Sequence, residues 1–397
     1  MSAAAAAAGF PLNWALLEPY VFRRDDEESF PDESEAPIRA FGVTTWGADF
    51  RVAFSLADPP RIYAQLPGFP GPGEAVPLAI LATHRHLALL SLGTETPSGD
   101  AVENLFIFRA DDKNPRSSSS IKPLPPCTEP EFDYSRVNLC LLGRRFGMVP
   151  TSNAPPEPCL LDPDMMAPLG LWCGGGDKEE EYQFVVAGLR SVYVPTNGRS
   201  RSSATKAFAD VCLLRGDQLG GGAAWSSMRV LILSTDNPDD DADLWQLSCW
   251  QTDAAISFQR WLCWIDYHRG ILFCDVSNNR VPAPTVSFLW FPLDKPTKCS
   301  LWYGGVSVVD HGRALKFVNV ARHDGLDEYG PLKPGTAFTI TCHALVLGDD
   351  GGTMAWKEDY TLASDDLWDE WMTTTSLTAS DNAASPCSLK STLPGQM

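Results

Sequence analysis

No run in this chain reaches the roughly 18 consecutive apolar residues that a membrane-spanning helix requires. Positive charge is scarce: 31 Lys and Arg stand against 50 Asp and Glu, a formal charge of −19 at pH 7. Such a surface repels phosphate backbones and anionic lipid, so neither nucleic acid nor a membrane is an expected partner. Basic residues are also missing from the start, MSAAAAAAGFP, where Pro11 ends the apolar run and the acidic stretch DDEESFPDESE soon follows. A secretory or transit leader is therefore not expected. The expected location is intracellular, in cytoplasm or nucleus. The 11 cysteines contain no CxxC pair, and an odd count without paired spacing argues against a disulfide framework. They read as small hydrophobes.

Chemical signatures are missing too. No phosphate-cradling glycine loop of the GxxxxGK[ST] or GxGxxG kind is present, and neither GxSxG nor HExxH occurs. His84 and His86 form an HxH on an expected strand, which would place both rings on one face. That spacing occurs in metal sites, but no third ligand is identifiable. Asp239, Asp241 and Asp243 alternate like the start of a calcium loop, yet the loop's glycine and terminal Glu are absent. A solvated acidic turn is the better reading.

What the chain does have is punctuation. Gly 31 and Pro 32 favour many short elements over a few long helices. Short runs rich in β-branched and aromatic residues recur, among them AFGVTTW (40–46), HLALLSL (86–92), NLFIFRA (104–110), MRVLILS (228–234) and TVSFLWFPL (285–293). Each is bounded by turn residues, the mark of strands. Only DADLWQLSCW (241–250) and SDDLWDEWM (364–372) look helical. The expected fold is all-β, with on the order of twenty or more strands. An irregular β-propeller-like arrangement of about six or seven diverged four-stranded blades would use this length and leave few open edges. No clean internal repeat supports it. The expected organisation is a flexible Ala-rich and acidic segment over 1–40, one large β domain over 41–372, and a disordered tail over 373–397. The stretches 109–126 and 149–164 read as Pro- and Ser-rich connectors.

The most tightly patterned stretch is WLCWIDYHRGILFCDV (261–276). A two-residue loop at His268-Arg269 would pair Asp266 with Ile271, Trp264 with Phe273 and Cys263 with Cys274. Trp261, Cys263 and Ile265 would then share a face with Leu272, Cys274 and Val276. Both faces are apolar, so both must be covered. Two facing cysteines are half of a zinc site at most, since structural sites need four ligands. Packing is the expected role of the cysteines, and Asp266, Asp275 and Arg269 are expected to secure the turn. A second hairpin, VSVVDHGRALKFV (306–318), reads more cleanly. A loop at His311-Gly312 pairs Val308 with Leu315 and Val306 with Phe317, with Gly312 supplying the positive φ of a tight turn.

These residues also resemble a family of plant proteins, expanded in grasses, known as domain of unknown function 1618. The resemblance rests on Trp264-Ile265-Asp266, Arg269-Gly270-Ile271-Leu272 and Cys274-Asp275-Val276. It continues through Phe291-Pro292-Leu293 and through Val309, Gly312, Leu315, Lys316, Phe317 and Val318. Trp356, Asp359, Leu367 and Trp368 complete it, so the specific part spans about 261–372. His268 departs from the family's usual Trp. The resemblance implies no catalytic residues, cofactor or substrate. Its strand-rich pattern is similar to the propeller domains that accompany F-boxes, although no F-box is expected before residue 45.

The function expected from these readings is a non-enzymatic, intracellular protein-interaction module, a monomer with an unknown protein partner. No residue is nominated as catalytic, cofactor-binding or metal-binding, and no cofactor is expected. The rival expectation is a hydrolase or metal-dependent enzyme with its site in a central channel. It requires His84, His86 or His343 to converge with carboxylates.

Overall fold

The computed structural model describes residues 21–55, 61–67, 78–95, 101–110, 119–125, 169–174, 183–195, 206–216, 225–234, 244–277, 284–293, 304–310, 312–323, 335–348 and 353–367. Among these lie twenty strands, a 3-10 helix at Leu244–Cys249 and one helical turn at 364–367. The chain is all-β, as its punctuation implies.

The first sheet has eight strands: β1 (Val21–Arg23), β2 (Ile38–Val43), β3 (Asp49–Ser55), β4 (Arg61–Gln65), β5 (Leu78–His84), β6 (Leu87–Glu95), β7 (Ala101–Arg109) and β8 (Ser119–Pro123). β2 to β4 and β5 to β8 are antiparallel meanders of strands adjacent in sequence. A short parallel pairing of β2 with β8 joins them, and β1 adds parallel to β4. β8 falls inside the expected connector 109–126. Its sequence SSIKP buries only Ile121 among its apolar residues, and its place in the sheet comes from pairing with β7 rather than from its own pattern.

The second sheet also has eight: β9 (Gly170–Gly174), β10 (Gln183–Tyr193), β11 (Ala207–Gly216), β12 (Trp225–Ser234), β13 (Ala254–Phe258), β14 (Trp261–Asp266), β15 (Gly270–Asp275) and β16 (Thr285–Trp290). It again combines two antiparallel meanders, joined by a parallel pairing of β12 with β16. Its two end strands, β9 and β13, pack against each other, so the sheet curls into a nearly closed barrel. A third sheet, of four strands, is the antiparallel meander β17 (Gly304–Val309), β18 (Ala314–Arg322), β19 (Phe338–Leu347) and β20 (Met354–Ala363).

The described residues thus hold five four-stranded groups, where six or seven blades were expected. The domain boundaries differ as well. The chain divides into two compact units, Met1–Phe291 and Pro292–Met397. Residues 21–40, expected in a flexible segment, carry β1, an ordered turn region and the start of β2. The tail 373–397, the connector 149–164 and Asp239, Asp241 and Asp243 lie outside the described residues.

Packing explains which runs alternate and which do not. In β3, Phe50, Val52 and Phe54 point into the first sheet's core, whereas Ala53 packs outward beneath Phe30 and Ala36 of the 24–37 turn region. Over 87–90 and 106–108, β6 and β7 are buried on both faces. Leu90, Leu92, Phe106 and Phe108 fill the first core, while Leu87, Leu89 and Ile107 meet Leu171, Val186 and Leu214 of the second sheet. Each aliphatic side chain buried in that layer contributes about 1.5–3 kcal/mol, so apolar contact is the main bond between the two sheets. The barrel core takes Ala207, Ala209, Val211 and Leu213 from β11 at period two. Leu247 and Trp250, in and beside the 3-10 helix, join the same core.

In the second unit, Leu315, Phe317 and Met354 are buried, and the Phe317 ring lies 6.0 Å from Trp356 and 6.1 Å from His343. Val306 pairs with Phe317 and Val308 with Leu315, the expected register. Gly312 has φ +86° and Asp310 φ 52°; His311 lies outside the described residues.

Candidate functional site

The stretch 261–276 is the hairpin β14–β15, and every residue from Trp261 to Tyr267 is buried. Both faces are covered, as expected, but the register is displaced by one. Asp266 pairs with Gly270, Trp264 with Leu272 and Cys263 with Phe273, which leaves a three-residue loop, Tyr267 to Arg269. A two-residue loop requires positive φ at its centre, and neither His268 nor Arg269 adopts one. The slip exchanges the faces. Leu262, Trp264, Leu272, Cys274 and Val276 point into the barrel, and Cys263 points away from it.

Asp266 explains the wider turn. It is fully buried, and its Oδ1 accepts the His268 N–H at 2.9 Å. Its Oδ2 accepts the Gln251 N–H at 2.9 Å and Arg269 Nη1 at 2.7 Å. Arg269 Nε donates to the Gln246 carbonyl of the 3-10 helix, and the Tyr267 N–H donates to Asp253 Oδ2. One carboxylate therefore fastens the turn to the helix and its connector, and donors occupy both its oxygens. Asp275 holds Ser277 and Arg260 in the same manner. Asp266 and Arg269 secure the turn, as the sequence suggested, whereas Asp275 acts at the other end of the hairpin.

His84 and His86 do not share a strand face. His84 ends β5, while Arg85, at φ 55°, and His86 form the two-residue turn to β6. His84 faces β9, and its Nδ1 accepts the Cys173 N–H at 2.8 Å. Ser257 of β13 donates its hydroxyl to the Leu171 carbonyl, and the Trp172 indole donates to the Gln259 carbonyl at 2.8 Å. Gln259 is itself at φ 50°. The edge of β9 that faces away from β10 is thus satisfied by side chains instead of a ladder, one way to protect an edge. Burial first, then the charges of Arg85 and His86, push the His84 pKa down to about 4. His343 belongs to the second unit, where burial lowers its pKa and Glu358 partly offsets that. Among the described residues no group of three His, Cys, Asp or Glu is placed to hold a metal, and no helix is long and apolar enough to cross a membrane.

Sequence reading missed the outer face of β10–β12. Register places Tyr193, Phe208 and Leu231 in one row, and Ser191, Asp210 and Arg229 in the next. Tyr193 is 39% exposed, Leu231 39% and Leu233 46%. Arg229 reaches Asp210 through two nitrogens, at 2.6 and 2.7 Å, and lies 4.8 Å from the Tyr193 ring centroid. Burial works against the Asp210 carboxylate, but hydrogen bonds from Arg229 and Ser191 outweigh it and hold the pKa below the ordinary value. An aromatic-aliphatic row beside a fixed ion pair is a surface suited to contact. The alternation in RVLIL (229–233) was the available signal.

Fold and sites together define an all-β scaffold built from four-stranded groups, with its patterned polar residues spent on turns and strand edges. Residues 264–392 match the family described as a protein of unknown function, DUF1618. The match begins in β14 and runs through the second unit. No curated protein matches the chain. Among solved structures, a GH43_1 enzyme from Xanthomonas citri complexed with xylose shows 11% identity over 81% of this chain and 89% of its own, with a TM-score of 0.27. RS223-Beta-xylosidase shows 10% identity over 81% and 94%, with a TM-score of 0.29. Scores this low supply no argument about what the chain does.

Proposed function

We propose that the chain is a non-catalytic protein-binding module that uses the outer face of β10–β12. The observation that supports this reading is the row Tyr193, Phe208 and Leu231, extended by Leu233 and bordered by the Arg229–Asp210 pair. Tyr and Arg are the residue types that anchor protein contacts, and an apolar centre with a polar rim is the usual anatomy of an interface. A protein is favoured over nucleic acid or anionic lipid by the charge of −19.

The test is capture from an extract of the source tissue by immobilised full-length chain, compared with the double variant Leu231→Asp/Leu233→Asp. Substitutions at such exposed positions shift stability by about 0.5 kcal/mol or less, so unfolding should stay unchanged while the partner is lost. Equal capture by both chains, or turnover with a copurifying metal, would overturn the reading.

A further inference from the structure

We infer that His84 is an acid-released latch on the free edge of β9. The Cys173 N–H points away from β10 and finds its acceptor in His84 Nδ1 at 2.8 Å. A protonated imidazole carries a proton on both nitrogens and cannot accept that bond. Protonation therefore removes the contact and turns two donors toward each other.

The groups around the ring favour its neutral form. Arg85 and His86 flank it on its own turn, and Arg109 ends β7 opposite Leu87. On β9 the one titratable side chain is Cys173, whose thiol burial pushes up. The sequence of β13, AAISF, holds no ionisable residue, and that of β6 holds only Glu95, at the far end of the strand. No carboxylate on these elements is placed to stabilise an imidazolium. The ring titrates near pH 4 when the edge is closed and near 6.5 when it is open to water.

The sign follows from these two values. Above about pH 6.5 the ring is neutral in both states and the latch contributes in full. As pH falls from 6.5 to 4, only the open state takes up the proton, and the opening constant rises about tenfold per unit. Below about 4 the loss is complete. The apolar layer of Leu87, Leu89, Ile107, Leu171 and Leu214 does not titrate, so the opening is confined to the β9 edge and its neighbours.

Hydrogen exchange at the Cys173 amide, in the full chain and corrected for the intrinsic pH dependence, tests this. Protection should fall by about two orders of magnitude between pH 6.5 and 4. His84→Asn keeps an acceptor oxygen near the position of Nδ1 and does not titrate, so its protection should stay flat. An equal fall in both chains, or none in the wild type, would overturn the latch. Direct NMR titration of the His84 ring gives an independent reading: a midpoint near 4 supports the latch, and a midpoint near 6.5 sinks it.

Discussion

The thiols of Cys263 and Cys274 stand on opposite faces of one hairpin, because Cys263 lies across from Phe273 and Cys274 from Leu262. Both are fully buried, and burial pushes both thiols far above the ordinary value. Thiolate is the reactive form. Native chain treated with an alkylating agent and then digested should show both residues unmodified, and mild oxidation should leave them unlinked. A Cys263–Cys274 disulfide in the peptide map would refute the register.

Asp266 and Arg269 should behave as one unit. Removing a partner from a buried pair costs about 3–5 kcal/mol, since the remaining charge is stranded. Asp266→Ala also orphans the Gln251 and His268 N–H groups. Urea unfolding should show a loss of at least that size, with an unchanged m-value.

Gly270 is fixed by its neighbour. A Cβ there would lie 2.1 Å from the Leu289 carbonyl oxygen, a backbone atom that cannot turn aside. Overpacking of this kind costs about 1–3 kcal/mol, at times more. Gly270→Ala should lower the unfolding midpoint clearly, whereas the same change at Gly305, where a Cβ meets nothing within 4 Å, should leave it nearly unmoved.

Ser257 is the second clasp on β9. Ser257→Ala removes the donor to the Leu171 carbonyl and should cost about 1 kcal/mol. Its effect should appear as faster exchange at β13 and β9 with little change in the first sheet. Uniform acceleration across both sheets would mean that the seam is not a local feature.

Strand existence was legible wherever a run was apolar and bounded by turn residues, as in β6, β7 and β12. GLWCG, the sequence of β9, is bracketed by the very residues that signal loops. Its glycines are there because Leu262 and the Trp172 ring occupy the positions their Cβ atoms would take, a fact of packing that no local pattern carries. The β14–β15 register was misjudged because the turn's width depends on Gln251 and Arg269 converging on Asp266. The link from His84 to Cys173 spans 89 positions. Nothing local to either residue announces it.

Each meander pairs strands that follow one another along the chain, but the parallel contacts of Ile232–Ser234 with Val286–Phe288 must wait for everything between them. Local pairings form quickly, and distant ones carry the entropy of closing a long loop. The barrel should therefore be assembled as two preformed halves, with its rate set by their docking. Strengthening any single hairpin should leave the slow step of refolding unchanged.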